Sequence, residues 1–405
     1  MLIQRRNFLK LSTLATASLF VPKFLNALGQ QENKLVPKGN KILVILQLSG
    51  GNDGLNTVIP IGNDIYYKSR PKLGIASDKV LKLTDDIGLH PDLNIFKCLY
   101  DEGNLGILNS VGYPDPDRSH FRSMDIWQSA SNSKDIIQSG WIGRYLDEVC
   151  KDCKMPIQAI EMDDTLSLAL RGELQKAIAL NNPQQLYDNS RDPMLASFTA
   201  AHTKTSHDME HENPVDYLYK TMSSTQNSAD YIFEKSNLGS TSTIYPKSQL
   251  GKSLKTIASL IMADIDTQIY YVSIGSFDTH VNQQTRQSQL FNQMDEAIEA
   301  FTNDLKQNNR FEDVLLFTFS EFGRRVAQNA SDGTDHGTAN NMFFVGGGLK
   351  EKGILNAIPD LSDLDNGDIK YQVDFKSVYA TLLKKWLNAD DEKILGKRME
   401  HLTFI

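Results

Sequence analysis

The sequence predicts an α/β fold: a three-layer sandwich in which a mostly parallel central sheet is covered by helices on both faces. The 405 residues, of which 40% are apolar, are enough to bury one large core or two modest ones without disulfides or metal ions. Several apolar runs lack polar alternation, which is typical of strands buried on both faces. Stretches of helical period separate these runs, and strands that alternate with helices favour a parallel sheet.

Each element follows from its own stretch of sequence. Five unbroken apolar runs predict strands at residues 41–48, 105–111, 268–274, 313–319 and 341–345. Five amphipathic stretches predict helices at residues 91–102, 121–131, 141–150, 289–308 and 375–387. The pair Cys150 and Cys153 forms one C-x-x-C near a predicted helix end, for which we favour a structural or incidental role over zinc binding.

The N-terminal segment has the features of an export signal. Arg5 and Arg6 precede an apolar stretch from residue 11 to 21, which is followed by small residues. We interpret residues 1–29 as a twin-arginine signal peptide, with a short amphipathic helix of the folded domain as the alternative. This interpretation predicts a periplasmic or secreted protein whose partner during export is the twin-arginine machinery. Because the stretch is too short to cross a bilayer, no stable membrane span is expected.

The rest of the chain, residues 30–405, is predicted to form a single domain with a polar insertion at about 197–252. The insertion is crowded with Ser, Thr, Asn, Gln and His, and we interpret it as an added loop or a partly helical cap. His207 and His211 have the i, i+4 spacing of a helical metal pair, but a solvated polar face explains them better. With 42 basic residues against 50 acidic ones and no basic stripe, the chain is not expected to bind nucleic acid.

Polar side chains of the kind that perform chemistry stand next to four of the predicted strands. Because ligands collect beyond the carboxyl ends of strands in open α/β sheets, we expect these side chains to converge. Two imidazoles with several carboxylates suit zinc or manganese better than an all-oxygen calcium cage. The alternative is that each residue caps a turn or forms an ion pair. The residues concerned are Asp53, Asp278, His280, Glu321, Arg324 and His336.

Ser119 occupies the position of a helix N-cap, next to two further functional side chains. A hydroxyl there meets the positive end of the helix dipole, which suits a nucleophile that faces a phosphate or sulfate ester. Capping alone is the alternative role for Ser119. Beside it, His120 is a candidate ligand or proton carrier, and Arg118 is a candidate anion clamp.

The motifs together resemble a known family, the domain of unknown function 1501 family. Its members are exported bacterial proteins that are grouped by fold with the alkaline phosphatase and sulfatase superfamily. The resemblance is carried, after the twin-arginine leader, by the segments at residues 50–57, 88–91, 118–121, 277–280, 320–324, 334–337 and 374–375.

The resemblance implies roles for individual residues. It implies a divalent metal, zinc in the first place with manganese or calcium as alternatives, bound as one or two ions. Ser119 would attack the ester, and Arg118 with Arg324 would hold the anion. Phosphatases of the superfamily have a histidine where this chain has Phe322, so one imidazole ligand is missing, and His120 is a candidate to replace it. The implied metal ligands are Asp53, Asp278, His280, Glu321 and His336.

The leading expectation is therefore an exported, metal-dependent hydrolase of phosphate or sulfate esters, with a small-molecule or glycan ester as substrate. One alternative is a catalytically inactive exported binding or assembly protein on the same fold, with the polar insertion at 197–252 as its contact surface. Another is a plain soluble domain whose polar strand ends only cap turns.

Overall fold

The computed structural model of the protein describes residues 41–150, 153, 155–173, 177–193, 214–239 and 241–405, without the side chains of residues 214–223. The proposed signal peptide at residues 1–29 lies outside the described residues. So do His207, His211 and the first part of the proposed insertion.

The main sheet is mixed but predominantly parallel. Its strands follow the order β11-β5-β10-β9-β1-β8-β6-β7. A further strand, β14, pairs with the part of β5 that β11 leaves unpaired. β1 lies in the centre and pairs in parallel with β8 on one side and β9 on the other. β10 runs antiparallel to both of its neighbours. The sheet strands are β1 (Ile42–Leu48), β5 (Leu105–Gly112), β6 (Ala159–Glu161), β7 (Ala177–Ala179), β8 (Ile269–Ile274), β9 (Val314–Phe319), β10 (Asn340–Val345), β11 (Gly353–Ile354) and β14 (Val373–Asp374).

Smaller strands lie outside this sheet. A three-stranded sheet has the order β2-β4-β3, and β12 pairs with β13 in a two-stranded ribbon. These strands are β2 (Val58–Pro60), β3 (Leu81–Lys82), β4 (Ile87–Leu89), β12 (Leu364–Asp365) and β13 (Asp368–Ile369).

Helices connect the strands along the chain. Short 3-10 turns occupy Leu168–Leu170 and Phe311–Asp313, and one π-helical turn occupies Leu382–Trp386. The α-helices are α1 (Gly54–Thr57), α2 (Asp64–Ser69), α3 (Asn94–Asp101), α4 (His120–Ser129), α5 (Trp141–Val149), α6 (Pro183–Ser190), α7 (Pro214–Leu238), α8 (Gln249–Met262), α9 (Gln283–Gln307), α10 (Phe375–Thr381) and α11 (Asp391–Leu395).

Two apolar layers sandwich the sheet. All seven residues of β1 are buried, and alternate side chains enter opposite layers. Val44 and Leu46 pack in the layer formed by α3, α8 and α9. Leu43 and Ile45 pack in the layer formed by α4, α5 and α10. The predicted α/β fold, with helices on both faces of a mostly parallel sheet, is thus confirmed.

A stack of aromatic rings anchors α4 to the sheet. The indole of Trp127 lies 5.3 Å from the ring of Phe319 and 4.3 Å from that of Phe375, centroid to centroid, in stacked geometry. Trp127 is 1% exposed. Large buried aromatic contacts of this kind fix the position of a helix, and here they fix the one that begins at His120.

The five predicted strands and the five predicted helices are present, with shifted ends. α9 begins at Gln283 rather than at residue 289, because its first turn is polar. The three-residue strands β6 and β7 and the helix α8 were not predicted. Short strands give too little pattern to recognise, and α8 overlaps the end of the segment that we interpreted as a polar insertion.

Two further features concern the cysteines and the expected absence of a membrane span. Cys150 and Cys153 form a disulfide, and Cys98 is a free, exposed thiol. Within the described ranges, no helix combines the length and the apolar composition that a membrane crossing requires.

Candidate metal centre

The candidate site lies at one edge of the main sheet. β1, β8 and β9 are parallel, so their carboxyl ends meet at this edge. β10 is antiparallel, and its first residue, Asn340, therefore lies at the same edge. Because β10 runs antiparallel, His336, which precedes β10, lies at the same edge as Asp278, which follows β8.

Two glycines let the loops at this edge approach one another closely. Gly50 and Gly51 have φ values of +116° and +76°, a region that disfavours side chains. A Cβ atom at Gly50 would lie 2.5 Å from the backbone nitrogen of Asp278, and one at Gly51 would lie 2.3 Å from a ring carbon of Phe322. The Gly-rich turn after β1 thus packs directly against the loops after β8 and β9.

The side chain of Arg324 connects these loops. Its side chain is fully buried, and Nη2 donates to Oδ1 of Asp278 at 2.7 Å. The other donors bind backbone carbonyls: Nε binds Gly51 at 2.6 Å, Nη1 binds Thr334 at 3.0 Å, and Nη2 also binds Gly50 and Phe277. The sequence suggested Arg324 as an anion clamp. In the structure its nitrogens are occupied by protein atoms, and the side chain positions Asp278.

The Asp278 carboxylate lies in the middle of three histidines. Its Oδ1 atom is 3.0 Å from Nε2 of His280, 3.2 Å from Nε2 of His336 and 3.5 Å from Nε2 of His120. Partial burial acts to raise the pKa of Asp278, but Arg324 outweighs it and, with the histidines, holds this pKa at about 2. Asp278 is consequently a carboxylate at neutral pH, as a metal ligand must be.

His120, the first residue of α4, directs one nitrogen at this carboxylate. Its Nδ1 atom lies 2.8 Å from Oε1 of Glu321. Because a carboxylate accepts, Nδ1 is the donor, and the lone pair of the neutral ring is on Nε2. That Nε2 atom is buried and makes no hydrogen bond to any residue in the described part of the chain.

His336 is oriented in the same way by a different acceptor. Its Nδ1 atom lies 2.8 Å from the backbone carbonyl of Arg118, which only accepts, so the lone pair of the neutral ring is again on Nε2. That atom faces Nε2 of His280 at 2.9 Å. Nδ1 of His280 lies 3.4 Å from Oδ1 of Asp335.

These positions fit a bound cation. The ligand atoms of His120, Asp278 and His336 all lie within 4.8 Å of one another, and His280 adjoins two of them. In the neutral ring of His336, the lone pair on Nε2 faces Oδ1 of Asp278 and Nε2 of His280. A cation bound between these three atoms would stabilise this arrangement. Metal-binding histidines usually donate their other ring N–H to a carboxylate or carbonyl, as His120 and His336 do here.

Phe322 fills the position for which the sequence suggested a missing imidazole. Its ring is 1% exposed and packs 4.8 Å from the ring of His120 and 4.7 Å from that of His336, centroid to centroid. It therefore serves as an apolar wall that restricts the orientation of both imidazoles.

Glu321 lies behind His120 rather than among the clustered ligand atoms. Its carboxylate is 1% exposed, and Oε1 accepts from the backbone N–H of Gly50 at 2.9 Å as well as from His120. Its predicted role as a metal ligand is untested, and its contacts in the structure are those of a group that orients His120.

Asp53 is engaged in a separate buried network. One of its oxygens lies 2.5 Å from Nη1 of Arg70 and accepts from the side chain of Gln283, and the other caps α1 through the N–H of Leu55. Both Asp53 and Arg70 are 1% exposed. The structure does not place Asp53 in the cluster of possible metal ligands, and nothing in the sequence around Arg70 indicated this pairing.

Ser119 and Arg118 lie immediately before His120. Ser119 is exposed, and although it occupies the N-cap position of α4, its hydroxyl makes no capping hydrogen bond. The guanidinium of Arg118 binds the buried carboxylate of Asp368 through Nε at 2.9 Å and through Nη2. Ser119 is thus accessible to solvent and precedes His120 in the chain, whereas the guanidinium of Arg118 is partly engaged with Asp368.

Comparison with solved structures gave several distant similarities. A sulfatase from Pseudoalteromonas sp., PsFucS1, is 12% identical and aligns over 98% of this chain and 72% of its own, with a TM-score of 0.38. The lipoteichoic acid synthase LtaP from Listeria monocytogenes is 10% identical over 97% and 80%, with a TM-score of 0.37. A protein of the alkaline phosphatase superfamily from Vibrio parahaemolyticus is 13% identical over 96% and 78%, with a TM-score of 0.34.

Comparison with curated protein sequences gave no match. The family model described as "Protein of unknown function (DUF1501)" matches residues 104–399, which is most of the chain. The match includes His120, Asp278, His280 and His336, and so covers every side chain of the proposed cluster. The chain belongs to the DUF1501 family, as its motifs indicated.

Proposed function

We propose that the protein is an exported, metal-dependent hydrolase of phosphate or sulfate esters. The observation that carries the proposal is the convergence of three imidazole nitrogens on Oδ1 of Asp278. Elements far apart in the chain supply these groups. The orphaned, buried Nε2 atom of His120 also calls for a partner that the described protein atoms do not provide.

The donor set selects among the possible metals. Three imidazoles and one carboxylate, His120, His280, His336 and Asp278, form a nitrogen-rich site that favours zinc, with manganese second. Calcium prefers six to eight oxygen ligands and fits this set poorly. Asp53 is paired with Arg70 and Glu321 with His120, so we assign one ion to the cluster.

The chain's own residues would divide the remaining work. A divalent cation, when bound, lowers the pKa of a coordinated hydroxyl or water and offsets the charge that develops on a substrate oxyanion. We propose the exposed Ser119 hydroxyl, which precedes His120 in the chain and makes no capping hydrogen bond, as the nucleophile. Arg324 holds Asp278, and Phe322 limits the rotation of the histidine rings.

Export by the twin-arginine route is part of the proposal. The residue pattern of positions 1–29 is its main support. The disulfide between Cys150 and Cys153 is a second support, since such bonds persist in oxidising compartments such as the periplasm.

The test combines metal analysis with turnover assays. The purified mature protein should contain stoichiometric metal and should hydrolyse 4-nitrophenyl phosphate or 4-nitrophenyl sulfate. Asp278→Ala should lose both metal and turnover, and Ser119→Ala should lose turnover but keep metal. Metal without turnover of either ester would instead favour a binding or assembly function, and a folded protein that takes up no metal would overturn the proposal.

A further inference from the structure

We propose that Asp368 is a positioning residue of the metal centre: by holding the side chain of Arg118, it fixes the segment on which the orientation of two histidines depends. The inference rests on the proposed function, because it concerns how that metal centre keeps the geometry that binds a cation. Asp368 lies on the two-stranded ribbon of β12 and β13 and is not itself one of the clustered ligand residues.

The backbone of Arg118 affects two imidazoles. Its carbonyl oxygen accepts from Nδ1 of His336 at 2.8 Å, which leaves Nε2 of the neutral ring to face Asp278. Arg118 also lies two residues before His120, the first residue of α4, so a shift of its backbone displaces the start of this helix. A change in the position of Arg118 therefore alters both histidines at once.

The turn before α4 is connected to buried groups by a neutral contact and by a charged one. The backbone N–H of Asp117 donates to the hydroxyl of Tyr113 at 3.1 Å. One residue later, Nε of Arg118 donates to Oδ2 of Asp368 at 2.9 Å, and Nη2 donates to the same oxygen. Hydrogen bonds between two charged groups are the stronger kind, so the contact with Asp368 is the firmer of the two.

Asp368 is a fully buried carboxylate between two guanidinium groups. Its side chain is 0% exposed, whereas that of Arg118 is 44% exposed. Its second oxygen, Oδ1, lies 3.4 Å from Nε of Arg325. Because a buried charge is costly unless it is paired, the carboxylate holds both arginines toward it. Asp368 is thus the fixed partner, and the half-exposed Arg118 is the group that it restrains.

The ribbon that carries Asp368 is itself attached to the loops of the site. Nη2 of Arg325 donates to the carbonyl of Asn366 at 2.7 Å. The hydroxyl of Thr338, two residues after His336, donates to the carbonyl of Ile369 at 2.6 Å. The loop after β9 and the segment before β10 therefore hold the ribbon, and through Asp368 the ribbon holds the start of α4.

The first experiment measures zinc affinity by competition with a chromophoric chelator. Asp368→Asn keeps the size of the side chain but removes the charge that holds Arg118, so we expect the Kd for zinc to rise about 10-fold, the lower end of what the loss of a ligand-orienting group costs. The matched control is Asp365→Asn, the same change at the exposed position that pairs with Asp368 across the ribbon, and it should leave the Kd unchanged. An unchanged Kd in folded Asp368→Asn would overturn the proposal.

The second experiment asks whether the effect acts through Arg118. Arg118→Met removes the guanidinium from a half-exposed position, so it also tests the contact if Asp368→Asn does not fold. It should raise the Kd for zinc by about the same factor. The double variant should bind zinc about as well as the weaker single variant, because both changes remove one ion pair. An unchanged Kd in Arg118→Met, or effects that multiply in the double variant, would contradict the positioning role.

The third experiment needs no metal. In the metal-free protein with isotope-labelled histidine, the hydrogen bond to the carbonyl of Arg118 should give the Nδ1–H proton of His336 a downfield NMR signal, identified by its absence in His336→Ala. Asp368→Asn should lose this signal, and Asp365→Asn should keep it. If the wild type binds no zinc but this pattern holds, the positioning role stands and the hydrolase function fails. A signal that persists in Asp368→Asn would overturn the positioning role.

Discussion

The Glu321 carboxylate accepts a hydrogen bond from Nδ1 of His120 at 2.8 Å. The same carboxylate accepts from the backbone N–H of Gly50, so it connects α4 to the turn after β1. This hydrogen bond raises the pKa of His120, and burial of the ring opposes the effect. The pair fixes which nitrogen of His120 faces Asp278.

The role of Glu321 can be tested by removing its charge. Glu321→Gln keeps the size of the side chain and weakens the hold on His120, so we expect metal affinity to fall about 10- to 100-fold. Competition with a chromophoric chelator measures this change. As a control, Glu299→Gln removes an exposed carboxylate on α9 and should not alter affinity. Complete loss of metal in Glu321→Gln would indicate instead that Glu321 is a ligand.

The Asp53–Arg70 pair gives a stability prediction. Both side chains are buried, and Arg70 also binds the side chain of Asn56 and the carbonyls of Arg325 and Val326. Removing one member leaves the other as an unpaired buried charge. We expect Asp53→Asn to lower the free energy of unfolding by about 3–5 kcal/mol, as measured by urea denaturation. Metal stoichiometry should be unchanged, and a loss of metal in the folded variant would show that Asp53 contributes to the site.

Arg324 provides a test of how the loops are held. Arg324→Lys retains the positive charge but has too few donors, in the wrong geometry, for the carbonyls of Gly50, Gly51 and Thr334. We expect a loss of about 3 kcal/mol or more in the free energy of unfolding, because each buried unpaired carbonyl is costly. Weaker metal binding should accompany it, since Asp278 loses its anchor. Arg325→Lys, at a more exposed neighbouring position, is the matched control. A stability loss in Arg324→Lys no larger than in the control would contradict this role.

The sequence was sufficient for the fold and for the convergence of the strand ends, but not for the partners of each side chain. The run at residues 41–48 has no alternation, and its burial on both faces follows from that fact alone. For Asp53, the sequence did not reveal the partner of the side chain. A carboxylate in a Gly-rich turn suits a metal, but an arginine 17 residues later in the chain neutralises it in the fold. The direction of β10, which brings His336 to the site, was likewise not visible in its composition.

The buried carboxyl of Glu161 predicts a pH dependence of stability that does not involve the candidate metal site. Burial raises the pKa of this carboxyl to about 8, from a value near 4.5 in the unfolded chain. Below about pH 4.5 both states are protonated. As the pH rises toward 8, the unfolded state loses its proton while the folded state keeps it, so wild-type stability falls.

Glu161→Gln mimics the protonated form and should remove this loss. Its free energy of unfolding relative to wild type should therefore increase steadily between pH 5 and pH 8 in urea titrations. Glu299→Gln, in which the carboxylate is exposed, should show no such increase. Parallel stability profiles for Glu161→Gln and wild type would contradict the assignment of a protonated, buried carboxyl.

The most direct test of the central claim is the metal content of the purified protein after equilibration with zinc and removal of excess by gel filtration, measured by inductively coupled plasma mass spectrometry. We expect about one zinc per chain in the wild type. The same value is expected in His401→Ala, since His401 pairs with Asp391 away from the cluster. His336→Ala should retain almost none while keeping its folded circular dichroism spectrum. Zinc retained equally by His336→Ala, or no zinc in the folded wild type, would contradict the account.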